Sequence, residues 1–255
     1  MICFITDYPC LRNSKGLLKM KIGVIGGNGV AATNRLCDLI ERKVTANGAF
    51  RDAHHPEMIV WQATKAPSRS MYLEGRGPNW IPDYVRIATT FKGIGCDLGC
   101  MCCNTAHYAV EQIAQESGLP FVNLLEEVAI CAKAIGERRY ELFCSDGARK
   151  FDLYGKVFQK VFPECTLIYP SEARQKQVTE VICGVKTKKR LEGAVNRELL
   201  EALIDEAEAP VILGCTDLRV AYPNDVNPVG DKLAIDSLEC LADVIVKRHN
   251  EGLIQ

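Results

Sequence analysis

Short apolar runs alternate with longer segments of helical period along this chain. KIGVIGG, from Lys21, is β-branched, unbroken by charge and closed by glycines, which predicts a buried parallel strand. AATNRLCDLIERKVTA after it predicts a helix. EMIVWQA predicts a second strand, and NWIPDYVRIATTFKGIG contains a helix starting near Pro82 and ending at its glycines. CDLGCMCCN predicts a third strand with TAHYAVEQIAQESG as its helix, PFVNL a short strand, and LEEVAICAKAIG a helix. The pattern then restarts. RYELFCSD and CTLIYPS predict strands, ARKFDLYGKVFQKVF a helix, and EARQKQVTEVICGV and NRELLEALIDEA further helices. PVILGCTDL predicts the last strong strand, and KLAIDSLECLADVIVKRHN closes with a helix.

Strands alternating with helices predict an α/β fold with parallel sheets. The restart near residue 121 predicts two similar Rossmann-like halves, each a sheet flanked by helices, with a cleft between them. Residues 1–19 are expected to be an N-terminal extension. Residues 20–120 plus 225–255 are expected to form a first, discontinuous domain, and 121–224 a second.

The chain has 255 residues, is 47% hydrophobic, and carries 31 basic against 32 acidic residues. The charges are interspersed, so no basic stripe points to nucleic acid and no polybasic cluster to a membrane surface. No apolar stretch reaches the length of a membrane span. A small-molecule substrate is the expected partner. The 13 cysteines are odd in number and show no small-scaffold spacing, which predicts reduced thiols in a cytoplasmic protein.

Two of those cysteines stand in matching contexts. In each half one strand runs straight into a cysteine: GCMCCNTAH delivers Cys103 and PVILGCTDL delivers Cys215. The carboxyl end of a parallel strand is where open α/β sheets bind ligands. Asn104 and Thr105 are good N-cap residues for a helix expected near Ala106. A helix N-terminus favours a thiolate and can also hold a carboxylate. Cys215 and Thr216 offer the same arrangement. Two opposed thiols suit stereoinversion, one removing the α-proton and the other returning a proton to the opposite face. A modest downward shift from the free thiol pKa of about 8.5 gives a usable base.

CNTAH and LGCT, in this order, resemble the cofactor-independent aspartate/glutamate racemase family, and within it the aspartate racemases. The resemblance runs from Lys21 onward. GVIGG resembles the family's opening strand and glycine turn, and AIDS its C-terminal strand end. PSRS resembles the segment with a substrate-binding arginine, here Arg69. PSEARQKQVTEVICGVK resembles the helix leading to a substrate-binding lysine, here Lys186. Asn28 stands where the family's glycine turn often carries Met. The resemblance implies a homodimer that needs no cofactor and racemises aspartate. Cys103 and Cys215 would be the acid/base thiols. Asn104, Thr105 and Thr216 would hold the α-carboxylate, and Arg69 and Lys186 the side-chain carboxylate. Asn28 would be a further substrate contact. Glutamate, broader specificity, hydantoin racemisation and maleate isomerisation are alternatives within the fold, and a non-catalytic amino-acid-binding protein is the alternative outside it.

Zinc needs about four converging ligands, and CDLGCMCCNTAH has no second CxxC to join. Its Cys96, Cys100 and Cys102 are expected on one strand face, opposite to Cys103, as core packing. Cys37, Cys131, Cys144, Cys165, Cys183 and Cys240 are also expected in the core. His107 either orients the site or packs its helix. GVIGGNG lacks the final glycine of a dinucleotide fingerprint, and no acid ends the second strand to hold a ribose.

Overall fold

The computed structural model describes residues 20–187, 195–222 and 232–252. The expected N-terminal extension, 1–19, lies outside these residues, as do 188–190 of the basic run and 225–231 of the stretch assigned to the first domain.

The first sheet is parallel, in the order β2 (Glu57–Gln62), β1 (Lys21–Gly26), β3 (Leu98–Met101). The second has the same plan, β5 (Thr166–Ile168), β4 (Arg139–Phe143), β6 (Val211–Leu213), with β7 (Leu233–Asp236) added beside β6. β1 and β4 are therefore equivalent central strands, and β3 and β6 lie on the same side of them. The expected α/β fold with two like halves is what the chain forms.

The helices follow from apolar spacing. In α1 (Val30–Ala46) the buried positions include Ala32, Leu36, Leu39, Ile40 and Val44, the stripe of a helix lying on a sheet. α3 (Ile81–Gly93), with Pro82 in its first turn, and α4 (Val110–Ser117) cover the opposite face of the first sheet. β1 feeds both layers by alternation. Ile22 and Val24 enter a large core shared with the second half, and Ile25 joins Trp80, Tyr84, Phe91 and Ile113. α5 (Leu124–Ile135), α7 (Leu153–Val161), α8 (Glu172–Gly184) and α9 (Val195–Asp205) contribute to the shared core.

The structure departs from the sequence reading in four places. PFVNL forms only a single parallel bridge, Phe121 to Gly99, because α5 begins at Leu124. ARKFDLYGKVFQKVF is two helices, α6 (Asp146–Lys150) and α7, separated at Asp152. Asp152 has φ 46°, and its carboxylate folds over Gly155 and accepts from the Tyr169 hydroxyl at 2.7 Å. The helix expected near Ala106 begins as a 3-10 turn, Asn104–Ala109, and becomes α-helical only at Val110. Finally, the C-terminal stretch is shared between the halves. β7 extends the second sheet, covering an edge that β6 would otherwise leave open. α10 (Ser237–Gly252) returns to pack on α1 and α5. Among the described residues no helix is long and apolar enough to cross a membrane.

Candidate active site

The two cysteine-bearing strand ends are built alike. The residue before each cysteine donates its N–H to the neighbouring central strand, Cys102 to Ile25 O at 3.1 Å and Gly214 to Phe143 O at 2.7 Å. Each cysteine carbonyl then accepts from the residue three further on, Ala106 at 3.1 Å and Leu218 at 3.0 Å. The first N–H groups of such turns have no internal acceptor and face outward. The ends meet: the Thr216 hydroxyl donates to Cys102 O at 3.4 Å. Cys103 and Cys215 are both half-buried and lie within electrostatic reach of one another.

Around Cys103 the contacts are between neutral groups. Asn104 is buried; its Nδ2 donates to Ser237 Oγ at 3.1 Å, and its Oδ1 accepts from Tyr154 Oη at 2.6 Å. The Thr105 hydroxyl shares a 2.9 Å hydrogen bond with Ser145. These side chains, expected to face a carboxylate, instead tie the first half to the second. His107 Nδ1 lies 2.9 Å from Cys103 O, and a carbonyl there requires Nδ1 to carry the proton. Burial pushes the imidazole down to about 4 and keeps it neutral. With the ring and the Ala106 N–H both on the Cys103 carbonyl, the chain turns with 3-10 rather than α spacing.

Asn28 sits on the glycine turn after β1. Gly27 has φ 80°, a conformation that favours glycine, and the Thr33 hydroxyl bridges Gly27 N and Gly29 O. The buried Tyr84 hydroxyl donates to Asn28 Oδ1, which fixes the amide so that Nδ2 is left buried without a protein partner. Tyr84 lies within reach of both Cys103 and Arg69. Arg69 opens α2 (Arg69–Leu73), behind the N-cap Ser68. Its Nη1 donates to Pro67 O at 3.0 Å, and its Nε is buried and unpartnered. Unpaired buried donors are costly, and an acceptor bound here would satisfy both.

Around Cys215 the contacts are charged. Asp217 is 4% exposed and pairs through Oδ2 with Lys186 Nζ at 2.8 Å. Burial, more than the Lys186 ammonium offsets, raises the Asp217 carboxyl above its usual range. The Lys186 side chain is 47% exposed; partial desolvation lowers it, but Asp217 outweighs this and leaves the ammonium raised. Lys186 is also within reach of both thiols. Burial, reinforced by the Asp217 charge, pushes the Cys215 thiol well up, against the opposing pull of Lys186. The expected downward shift is thus reversed at Cys215. Burial favours the thiol form, and the adjacent carboxylate adds to this.

All eight sequence-predicted residues converge at the carboxyl ends of β1, β3 and β6 and the turns beside them. Sequence reasoning missed Tyr84, Tyr154, Ser237 and Asp217. Only Asp217 carried a local signal, as the acid two residues after Cys215. Of the remaining cysteines, Cys100 and Cys102 point into the shared core, but Cys96 packs in the other cluster. β3 starts only at Leu98, and Gly95 at φ 82° turns the chain, so strand alternation does not extend back to Cys96. Cys183 is exposed rather than core, and Cys37, Cys131, Cys165 and Cys240 are half-buried. Among the described residues no three His, Cys, Asp or Glu side chains stand close enough together to hold a metal ion.

Two like-ordered parallel sheets, each bringing a cysteine from a strand end to a common boundary, define an α/β protein of the two-domain racemase fold. A family model described as Asp/Glu/Hydantoin racemase matches residues 22–245, and the chain belongs to that family; it is an isomerase of the racemase type. It is 23% identical over 235 residues to the broad specificity amino-acid racemase RacX of Bacillus subtilis, covering 89% of this chain and 97% of that one. Its fold is similar to that of the Picrophilus torridus aspartate racemase, with a TM-score of 0.72, 22% identity, and coverage of 91% of this chain and 94% of the other. An aspartate racemase homologue from Pyrococcus horikoshii aligns with a TM-score of 0.68 and 21% identity over 90% of this chain and 99% of the other.

Proposed function

We propose that this protein interconverts L- and D-aspartate by proton transfer between the α-carbon and two cysteine thiols. The observation that carries the reading is the repeated strand end: β3 and β6 deliver Cys103 and Cys215 through the same hydrogen-bonding pattern, within electrostatic reach of each other. Cys215, held as a thiol, is the proton donor in the resting state. Cys103 is then the base that takes the α-proton. After one turnover the protonation states are exchanged, and the reverse reaction uses them in that order. The total proton count does not change, so no external acid or base enters the step.

The α-carbon of an amino acid is a very weak acid, so the site must stabilise the carbanion. The opening N–H groups of the two turns, beside Asn104, Thr105 and Thr216, hold the α-carboxylate. Asn28 Nδ2, fixed by Tyr84, supplies a further donor. Arg69 and Lys186 hold the side-chain carboxylate, with the Arg69 guanidinium suited to a bidentate grip. The protein acts in this reading as a cytoplasmic homodimer, which sedimentation at micromolar concentration tests. The reaction is tested by chiral chromatography of L-aspartate incubated with the protein. D-aspartate accumulating to an equal mixture supports it; none forming from L-aspartate overturns it. A broader substrate range is favoured by one observation, the Asp217 carboxylate already seated on Lys186.

A further inference from the structure

Asp217 is a buried charge at this site that neither the two thiols nor the substrate grip requires. Its position is closely defined. Oδ2 takes the Lys186 ammonium at 2.8 Å. Oδ1 lies against Gly29, where an added Cβ would come within 2.1 Å of it. Gly29 is the N-cap residue of the 17-residue helix α1, so the carboxylate lies beside the start of that helix. Arg69 also acts on it electrostatically. The nearby Asn28 Nδ2 remains a buried donor without a partner. The Lys186 ammonium, with the Arg69 guanidinium within electrostatic reach, makes a seat for a carboxylate, and the protein's own side chain fills it.

We propose that Asp217 is a specificity-determining residue: by occupying the cationic seat that a substrate's side-chain carboxylate would use, it extends turnover to amino acids with uncharged side chains. The proposal rests on the reading of this site as an amino-acid racemase centre. Lys186 and Asp217 together carry no net charge, and Arg69, which makes no ion pair among the described residues, adds a positive charge. A dicarboxylate meets the attraction of Arg69 and the repulsion of Asp217. An uncharged side chain meets neither penalty nor reward, and its α-carboxylate and α-carbon see the same turns and thiols. The balance of charge around one seat thus sets the balance between substrate classes.

Binding and turnover separate this proposal from the reading beneath it. Calorimetry with succinate and butyrate reports the seat without requiring chemistry. Asp217→Asn is expected to tighten succinate relative to butyrate about tenfold. Asp217→Ser, which also removes the charge, is expected to shift the ratio in the same direction and serves if the first variant does not fold. In parallel, kcat/KM is measured for L-aspartate and L-alanine. The wild type is expected to racemise both, and Asp217→Asn to raise the aspartate-to-alanine ratio about tenfold. The ratio cancels any common effect on Cys215, since both substrates use the same thiols. A succinate-to-butyrate ratio unmoved by either variant, or a wild type active on aspartate and inert to alanine, overturns the proposal. Selective binding that shifts as expected, with no amino acid racemised, would instead overturn the catalytic reading alone.

Discussion

The strand ends at Cys103 and Cys215 share one backbone plan and differ in the side chains that follow each cysteine. Cys103 is followed by Asn104 and Thr105, whose side chains are bound to the neutral groups of Tyr154, Ser237 and Ser145. Cys215 is followed by Thr216 and Asp217, and the carboxylate pairs with Lys186. The repeated topology thus sets where the thiols are, and the residues after each one set its charge environment. In the proposed reaction, which needs one thiol protonated when the other is not, this asymmetry would make Cys215 the resting proton donor.

The comparison is broken most severely at the sulfurs themselves. Cys103→Ala and Cys215→Ala are each expected to lower racemisation by about a thousandfold, the scale of a lost general acid or base. Chiral chromatography measures it, and full activity in either variant contradicts a role for both halves. His107 belongs only to the first turn. Its folded-state pKa is depressed to about 4, whereas the unfolded chain takes up the proton below about 6.5. Stability is therefore complete above that pH and falls as the pH drops towards 4, by about 3 kcal/mol in the limit. His107→Asn keeps a donor near Nδ1 without titrating, and its urea midpoint is expected to depend less on pH across this window. A variant whose acid sensitivity matches the wild type would assign that sensitivity to another group.

Gly29→Ala sharpens the second half of the comparison. The new Cβ would overlap Asp217 Oδ1, so the carboxylate must shift, at a cost of about 1–3 kcal/mol. Cys215 is then expected to be alkylated at lower pH than in the wild type, read by mass spectrometry of the cysteine peptides. An unchanged alkylation profile would remove Asp217 as the cause of the asymmetry. The smallest effect is expected at Tyr154→Phe. Losing the 2.6 Å bond to Asn104 Oδ1 leaves a buried acceptor unmet, lowering stability by about 1–2 kcal/mol with no change in the urea m-value.

Much of this site could be read from local patterns. The unbroken apolar runs of β1 and β6 mark buried parallel strands, and the cysteine after each run follows directly in the chain. The groups that tune the site could not be read in that way. Tyr84 reaches Asn28 across 56 residues, and Ser237 reaches Asn104 across 133. No spacing in one sequence encodes such pairings; they exist because α3 and α10 start where the sheets place them. The helix after Cys103 starts later than its capping residues suggest for a related reason. Asn104 and Thr105 have good capping chemistry, but their side chains are used by the other half, and His107 claims the carbonyl that would have begun α spacing.

The claim that the two thiols serve opposite faces of one stereocentre is tested most directly by hydrogen isotope. L-aspartate is incubated with the protein in deuterium oxide and the reaction stopped at low conversion. The account predicts D-aspartate carrying deuterium at the α-carbon while the remaining L-aspartate keeps its original hydrogen, since one thiol removes it and the other delivers from solvent. Deuterium appearing equally in both enantiomers, or D-aspartate that retains the original hydrogen, would contradict it.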